Sequence, residues 1–357
     1  MKKNSLTGRE RIIRAVNYQE VDRVPYYFRA EPEVITTLIK ELGVRDINGL
    51  ESYFDVDAVR VGVPFKPEAG HKPLPDGSYT DMFGMQWKKV TYNNISTTTV
   101  VKPAFNENTA IADIENYPWP DAKLLDQSAA TEQAKAARAR GRAVYGGSWA
   151  SIFTFARYLI GEENFFIMAS TEPEVIQKLI DRLTDYHLEI NETYFKNTEG
   201  NIDVFYMGSD FGTQKSLFIS IDMFRRFFKP NFTRLAKHAK KHGLKVMMHS
   251  CGSIFDLISE FIDCGIDIVD PVQVSADNMS PESLAAAYKK KIVFHGGIST
   301  QKTLPFGTPV DIRNEVRSAI AAFGPSGYIV APDQNIQADT PVNNILALFD
   351  AFKNQSR

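Results

Sequence analysis

An imidazole and a thiol stand two residues apart in Val246-Met247-Met248-His249-Ser250-Cys251-Gly252-Ser253. The apolar lead-in reads as a short buried strand, and side chains at i and i+2 of a strand share a face. His249 and Cys251 can therefore converge on one point, which suits a borderline cation such as zinc. Taken alone, an H-x-C pair is more simply a small buried thiol beside a hydrogen-bonded core histidine; its place in the larger pattern turns the reading toward a metal. The second of the chain's two cysteines, Cys264, follows a helical stretch of about ten residues that carries the chain roughly 15 Å toward the opposite end of the fold. It reads as a core or helix-terminal residue, not a ligand.

The elements that must position this pair recur along the chain. β-rich runs lie at 24–28, 57–62, 143–148, 204–210, 245–251, 267–273, 292–298 and 328–332. Several, such as Ile292-Val293-Phe294, are continuously apolar, the signature of strands covered on both faces in a parallel sheet. Between them 254–262, 281–288 and 310–323 carry helical spacing of apolar positions. This alternation predicts a (β/α)8 barrel, an α/β fold for which the 357-residue length leaves room for insertions. A doubly wound open sheet is the rival, but no Gly-rich fingerprint follows the first strand. One domain, 1–357, is expected, with an antiparallel hairpin at 77–102 inserted after the second barrel strand. Thr7 and Glu10 have capping-box spacing at the first helix.

Reactive groups of such a barrel sit at the C-terminal strand ends. Those ends supply Arg29, Trp149, Asp210, His249, Cys251, Gln273, Gln334 and Asn335. Asp210 and the His249/Cys251 pair end neighbouring strands, so a carboxylate beside an imidazole and a thiolate is expected, although an Asp there can equally cap the next helix. Elsewhere, His238 and His242 read as part of a solvated Lys-rich helix face, and His295 as a satisfied interior residue.

A net charge of −2 offers no electrostatic footprint for nucleic acid or an anionic membrane. No apolar run approaches the roughly 20 residues a membrane helix needs. The N-terminus lacks the apolar stretch of a signal peptide, and two cysteines make no disulfide scaffold. A cytoplasmic protein acting on a small-molecule substrate is the expectation.

The order of these residues resembles the uroporphyrinogen decarboxylase superfamily. The resemblance runs from Glu10-Arg11 and Asp22-Arg23-Val24-Pro25 through Gly208-Ser209-Asp210-Phe211-Gly212, Lys229-Pro230 and His249-Ser250-Cys251-Gly252. It continues to Gln301 through Leu304, Asp339-Thr340-Pro341 and Asn344. It implies the (β/α)8 barrel and divides into two branches. The decarboxylases use two arginines after the first strand, an aspartate after the second, a tyrosine after the third and a histidine after the eighth. Here Arg29 alone matches the arginine pair, Val63-Pro64 offers no aspartate, Phe155 stands at the tyrosine and Gln334 at the histidine. The cobalamin-linked methyltransferases bind zinc through an H-x-C pair after the fifth strand, matched by His249 and Cys251, and a distant cysteine after the eighth, whose place falls near Gln334 and which is missing here.

The resemblance therefore implies a zinc-dependent methyltransferase moving a methyl group between a corrinoid and a thiol or small methylated substrate. Asp210 would be a third ligand or a general base, and Arg29 would meet an anionic group. Trp149, Gln273, Gln334 and Asn335 would contact substrate. No D-x-H-x-x-G cobalamin motif is present, so the corrinoid would come on a separate protein, and a homodimer is expected. The alternatives are decarboxylation of a porphyrinogen or smaller carboxylate, and a barrel that binds a ligand without turnover.

Overall fold

Apolar runs too short and too β-branched for helices become the inner wall of the computed structural model, which describes residues 6–92, 95–198 and 200–355. The strands are β1 (Ala58–Val61), β2 (Lys72–Pro73), β3 (Tyr79–Thr80), β4 (Gln86–Tyr92), β5 (Ile95–Lys102), β6 (Ala143–Gly146), β7 (Val204–Gly208), β8 (Lys245–His249), β9 (Ile268–Val272), β10 (Val293–Ile298) and β11 (Tyr328–Pro332). A parallel sheet runs in the order β1-β6-β7-β8-β9-β10-β11. Helices cross over between successive strands, as parallel connections require.

The eighth staff of the barrel is the one predicted at 24–28, and it is not a regular strand. Tyr26 makes an isolated parallel bridge to Val330. Val330 N donates to Pro25 O at 2.9 Å, Tyr27 N to Val330 O at 3.1 Å, and Asp57 N to Tyr26 O at 3.1 Å. The segment thus joins β11 to β1 and closes the ring. Its ladder is thin for two local reasons. Pro25 has no N–H to give, and the Tyr26 N–H is taken by the Asp57 side chain at 2.9 Å.

The expected hairpin is larger than 77–102. Short β2 and β3 extend it to an antiparallel sheet ordered β2-β3-β4-β5, following the second staff of the barrel as expected. The Thr7/Glu10 capping box forms at the first helix. Inward-facing Tyr145, Tyr206, Met247, Ile268, Val293 and Ile329 fill the barrel, and the outward faces pack under the helices in a second, larger core. Burial of that area, at about 25 cal/mol per Å2, is the main favourable term for the fold.

At the N-terminal end of the barrel a buried ion cluster consumes residues that carry the family resemblance. Asp57 pairs with Arg11 and, at 2.6 Å, with Arg23, while Arg11 Nε reaches Asp22 at 2.6 Å. These residues hold the barrel floor and lie far from the strand ends that bear the chemistry. No helix among the described residues is long and apolar enough to cross a membrane.

Candidate metal centre

β8 ends at His249, two residues earlier than expected, and Cys251 lies just beyond it on the turn. The pair still converges: Cys251 Sγ is 3.3 Å from His249 Nε2. Asp210, just past β7, brings Oδ1 to 3.5 Å from the same nitrogen and accepts the Cys251 N–H at 3.0 Å. One donor atom from each of Asp210, His249 and Cys251 falls within 4.8 Å of the others. A sulfur, an imidazole nitrogen and a carboxylate oxygen brought this close together are a donor set that fits zinc in a catalytic site.

The backbone makes room for this. A Cβ on Gly208 would lie 2.7 Å from the Trp149 ring and 2.8 Å from His249 Cβ. Gly252 adopts φ +86°, and a Cβ there would strike the Gly212 backbone at 2.5 Å. Glycine at both places lets the β7 and β8 ends approach until their side chains share a point.

Beneath the donors lies a buried charge network. Asp270, opposite His249 in the β8–β9 register, accepts from His249 Nδ1 at 2.8 Å, Tyr206 Oη at 2.5 Å and Arg29 Nη1 at 3.0 Å through one oxygen. Its other oxygen meets His295 Nδ1 at 2.6 Å. Burial alone would raise the Asp270 carboxyl, but the Arg29 guanidinium and then His295 and His249 hold it well below the usual carboxylate range. Burial would likewise strip the proton from His249; its neighbours Cys251 and Asp270 outweigh it and hold the imidazole up to about 10. The raised imidazole carries its proton at neutral pH, and a cation that binds here replaces the proton on Nε2. With Nδ1 fixed by Asp270, Nε2 is the nitrogen that faces the donors, the carboxylate–histidine–metal arrangement of many metal sites.

The remaining expected site residues divide. Gln334 is placed at the pair: its Nε2 donates to Cys251 Sγ at 3.0 Å. Trp149 packs over His249 with ring centroids 5.2 Å apart and edge-on to Tyr206 at 5.0 Å. Asn335 turns aside, its Nδ2 bonded to Glu31 at 2.9 Å. Two residues have protein partners that the sequence did not show. Arg29, expected to meet an anionic substrate group, is 9% exposed and gives its N–H groups to Asp270 and, at 3.1 and 2.7 Å, to the Pro332 carbonyl. Gln273, expected to contact substrate, is buried and accepts the Gly252 N–H at 2.7 Å, clamping the turn that carries Cys251.

Sequence reasoning gave no role to Arg60, Tyr206 or Asp270, although Asp270 stands at a strand end. Arg60 is exposed on the inner face of β1 and lies over the rings of Trp149 at 4.7 Å and Tyr206 at 5.1 Å. Its signal was available in the Ala58/Arg60 alternation, which puts it on the same face as a barrel-interior residue.

The model of the family described as uroporphyrinogen decarboxylase (URO-D) matches residues 84–355. A curated relative, the methylated-thiol–coenzyme M methyltransferase of Methanosarcina mazei, is 23% identical over 255 residues, covering 68% of this chain. The match spans 63% of that relative's length. A solved structure of a methyltransferase from Methanosarcina mazei superimposes with a TM-score of 0.73 at 18% identity, over 99% of this chain and all of that one. That likeness establishes the TIM-barrel type of fold. By the family match across most of its length, with the barrel to go with it, the chain belongs to the uroporphyrinogen decarboxylase family.

Proposed function

We propose that this chain is a zinc-dependent methyltransferase that moves a methyl group between a corrinoid carried on a separate protein and a small thiol or methylated substrate. The observation that carries the reading is the convergence of Cys251 Sγ, His249 Nε2 and Asp210 Oδ1 at the barrel mouth. The methylated-thiol methyltransferase relative supports it. When bound, zinc lowers the pKa of a coordinated thiol and presents it as a thiolate.

The chain's own residues prepare that event. Asp270 orients His249 through Nδ1, and Arg29, Tyr206 and His295 hold Asp270 in place. Gln334 donates to Cys251 Sγ and stabilises its negative charge. Asp210 completes the donor set from the exposed side, where substrate and corrinoid approach. Trp149 walls the site, and Arg60, held over two aromatic rings, meets an anionic group on the substrate. The proton of the acceptor thiol leaves through the open mouth to solvent.

Porphyrinogen decarboxylation fits less well. A polycarboxylate needs several cationic partners, and Arg29 is spent on Asp270 and Pro332.

Free methylcobalamin as donor and 2-mercaptoethanesulfonate as acceptor test the proposal. Zinc-dependent loss of the methylcobalamin spectrum, abolished in Cys251→Ala, is expected. Turnover that survives Cys251→Ala unchanged, or zinc-loaded protein inert toward every small thiol offered, contradicts it.

A further inference from the structure

Far from the barrel mouth, two helices share a second set of donors. Glu192 lies near the end of the helix Pro173–Asn197; His238 is on the helix Lys229–Lys241, and His242 caps it. Both helix ends lead into the N-terminal ends of β7 and β8, so this cluster is at the barrel floor. The sequence had suggested a solvated face for these histidines. Instead, being four residues apart, they stand one above the other on one face, and both turn toward the neighbouring helix. His238 Nε2 is 2.7 Å and His242 Nε2 2.9 Å from the same oxygen, Glu192 Oε2.

The second Glu192 oxygen is occupied by Lys196 at 2.6 Å. Lys196, His242 and His238 together push the Glu192 carboxyl down to about 2, so it is an anion at any ordinary pH. Phe195 packs on both imidazoles, with centroids 5.9 and 5.3 Å away, and fixes the ring planes from the protein side. The three donor side chains are 16, 22 and 41% exposed, which leaves the cluster open to an ion from solvent.

We infer that Glu192, His238 and His242 form a second divalent-metal site, a two-nitrogen, one-oxygen clip for zinc or nickel between adjacent helices. One donor atom from each residue lies within 4.8 Å of the others. Tetrahedral sharing of a cation at about 2.1 Å sets donors about 3.4 Å apart, an outward movement of roughly 0.5 Å that these partly exposed side chains can make. His-x3-His on one turn with a carboxylate opposite supplies borderline donors, which select transition cations over magnesium or calcium. Being at the barrel floor, the ion would staple two helices and raise stability without entering the reaction. The inference is independent of the proposed methyl transfer.

Equilibrium dialysis against zinc chloride tests it, with wild type, His238→Gln/His242→Gln and Cys251→Ala compared. The double variant should bind one zinc fewer than wild type, whereas Cys251→Ala keeps the floor zinc. Zinc should raise the wild-type Tm by roughly 2–4 °C, and the rise attributable to this site should vanish in the double variant and in Glu192→Gln. Melts in chelator report whether each variant is folded; Glu192→Gln, which keeps both imidazoles, replaces the double variant if that one fails. Equal zinc content in wild type and a folded variant overturns the inference, leaving only the hydrogen bonds between Glu192 and the two histidines.

Discussion

Asp270 and His249 face each other across the β8–β9 register, and the carboxylate holds the imidazole by Nδ1 at 2.8 Å. The contact fixes which nitrogen faces Cys251 and makes a fully buried aspartate part of the candidate metal centre without its being one of the three donors. Asp270→Asn should weaken zinc binding at the mouth about 10- to 100-fold. It also leaves Arg29 buried without its counter-charge, a loss of about 3–5 kcal/mol. Zinc competition with a coloured chelator and urea melts read the two effects; unchanged zinc affinity in a folded Asp270→Asn protein contradicts the orienting role.

Arg60 is held by aromatic faces rather than by a carboxylate, so its removal should cost little stability. Arg60→Ala should raise KM for an anionic thiol roughly tenfold with little change in kcat, and leave a neutral thiol unaffected, the pattern of lost ground-state binding. Arg60→Lys should recover part of the loss. Equal effects on both thiols would remove the anion-binding role.

Gly208→Ala tests the close approach of β7 to its neighbours. The added methyl would sit 2.7 Å from the Trp149 ring and 2.8 Å from His249 Cβ. Overpacking of this kind costs about 1–3 kcal/mol, and His249 must move to relieve it. We expect a folded protein by circular dichroism with zinc binding at the mouth weakened at least tenfold. Full zinc affinity in the variant would show that the ligand has room to spare.

Much of this arrangement was legible because it is local. The two-residue spacing of His249 and Cys251, and the sequence position of Asp210 at the end of the preceding strand, put all three at one end of neighbouring strands, although Cys251 reaches the point from the turn beyond β8. The protein partners of Arg29 and Gln273 were not legible because they depend on tertiary contacts: Asp270 is 241 residues from Arg29, and which strand-end group it chooses is set by rotamers. Arg60 was overlooked since a lone charge in Val59-Arg60-Val61 reads as a solvated edge. The regular first strand was overestimated because the Tyr26 N–H goes to a side chain, and β2 and β3, at two residues each, are too short to leave a pattern. The histidine face at 238 and 242 gave no hint of Glu192, which lies 46 residues upstream of His238.

Glu315 gives the fold a pH dependence. Burial lifts its carboxyl from 4.5 to about 7, and one of its oxygens has no hydrogen-bond partner. The protonated form is the one the fold accommodates. Its contribution is therefore complete below about pH 4.5 and is lost as pH rises through about 7. Glu315→Gln should gain on wild type by up to roughly 3 kcal/mol at about pH 8 and by little at about pH 4. Urea melts at the two pH values read this; a difference that does not change with pH would mean that Glu315 is not buried as a neutral acid.

The most direct measurement is the zinc K-edge absorption spectrum of the His238→Gln/His242→Gln protein, in which the mouth is expected to be the one zinc site left. One sulfur at about 2.3 Å with nitrogen and oxygen at about 2.0–2.2 Å is predicted, and the sulfur should disappear in Cys251→Ala on the same background. A sulfur-free shell in the parent, or no bound zinc at all, would contradict the metal centre on which the proposed chemistry rests.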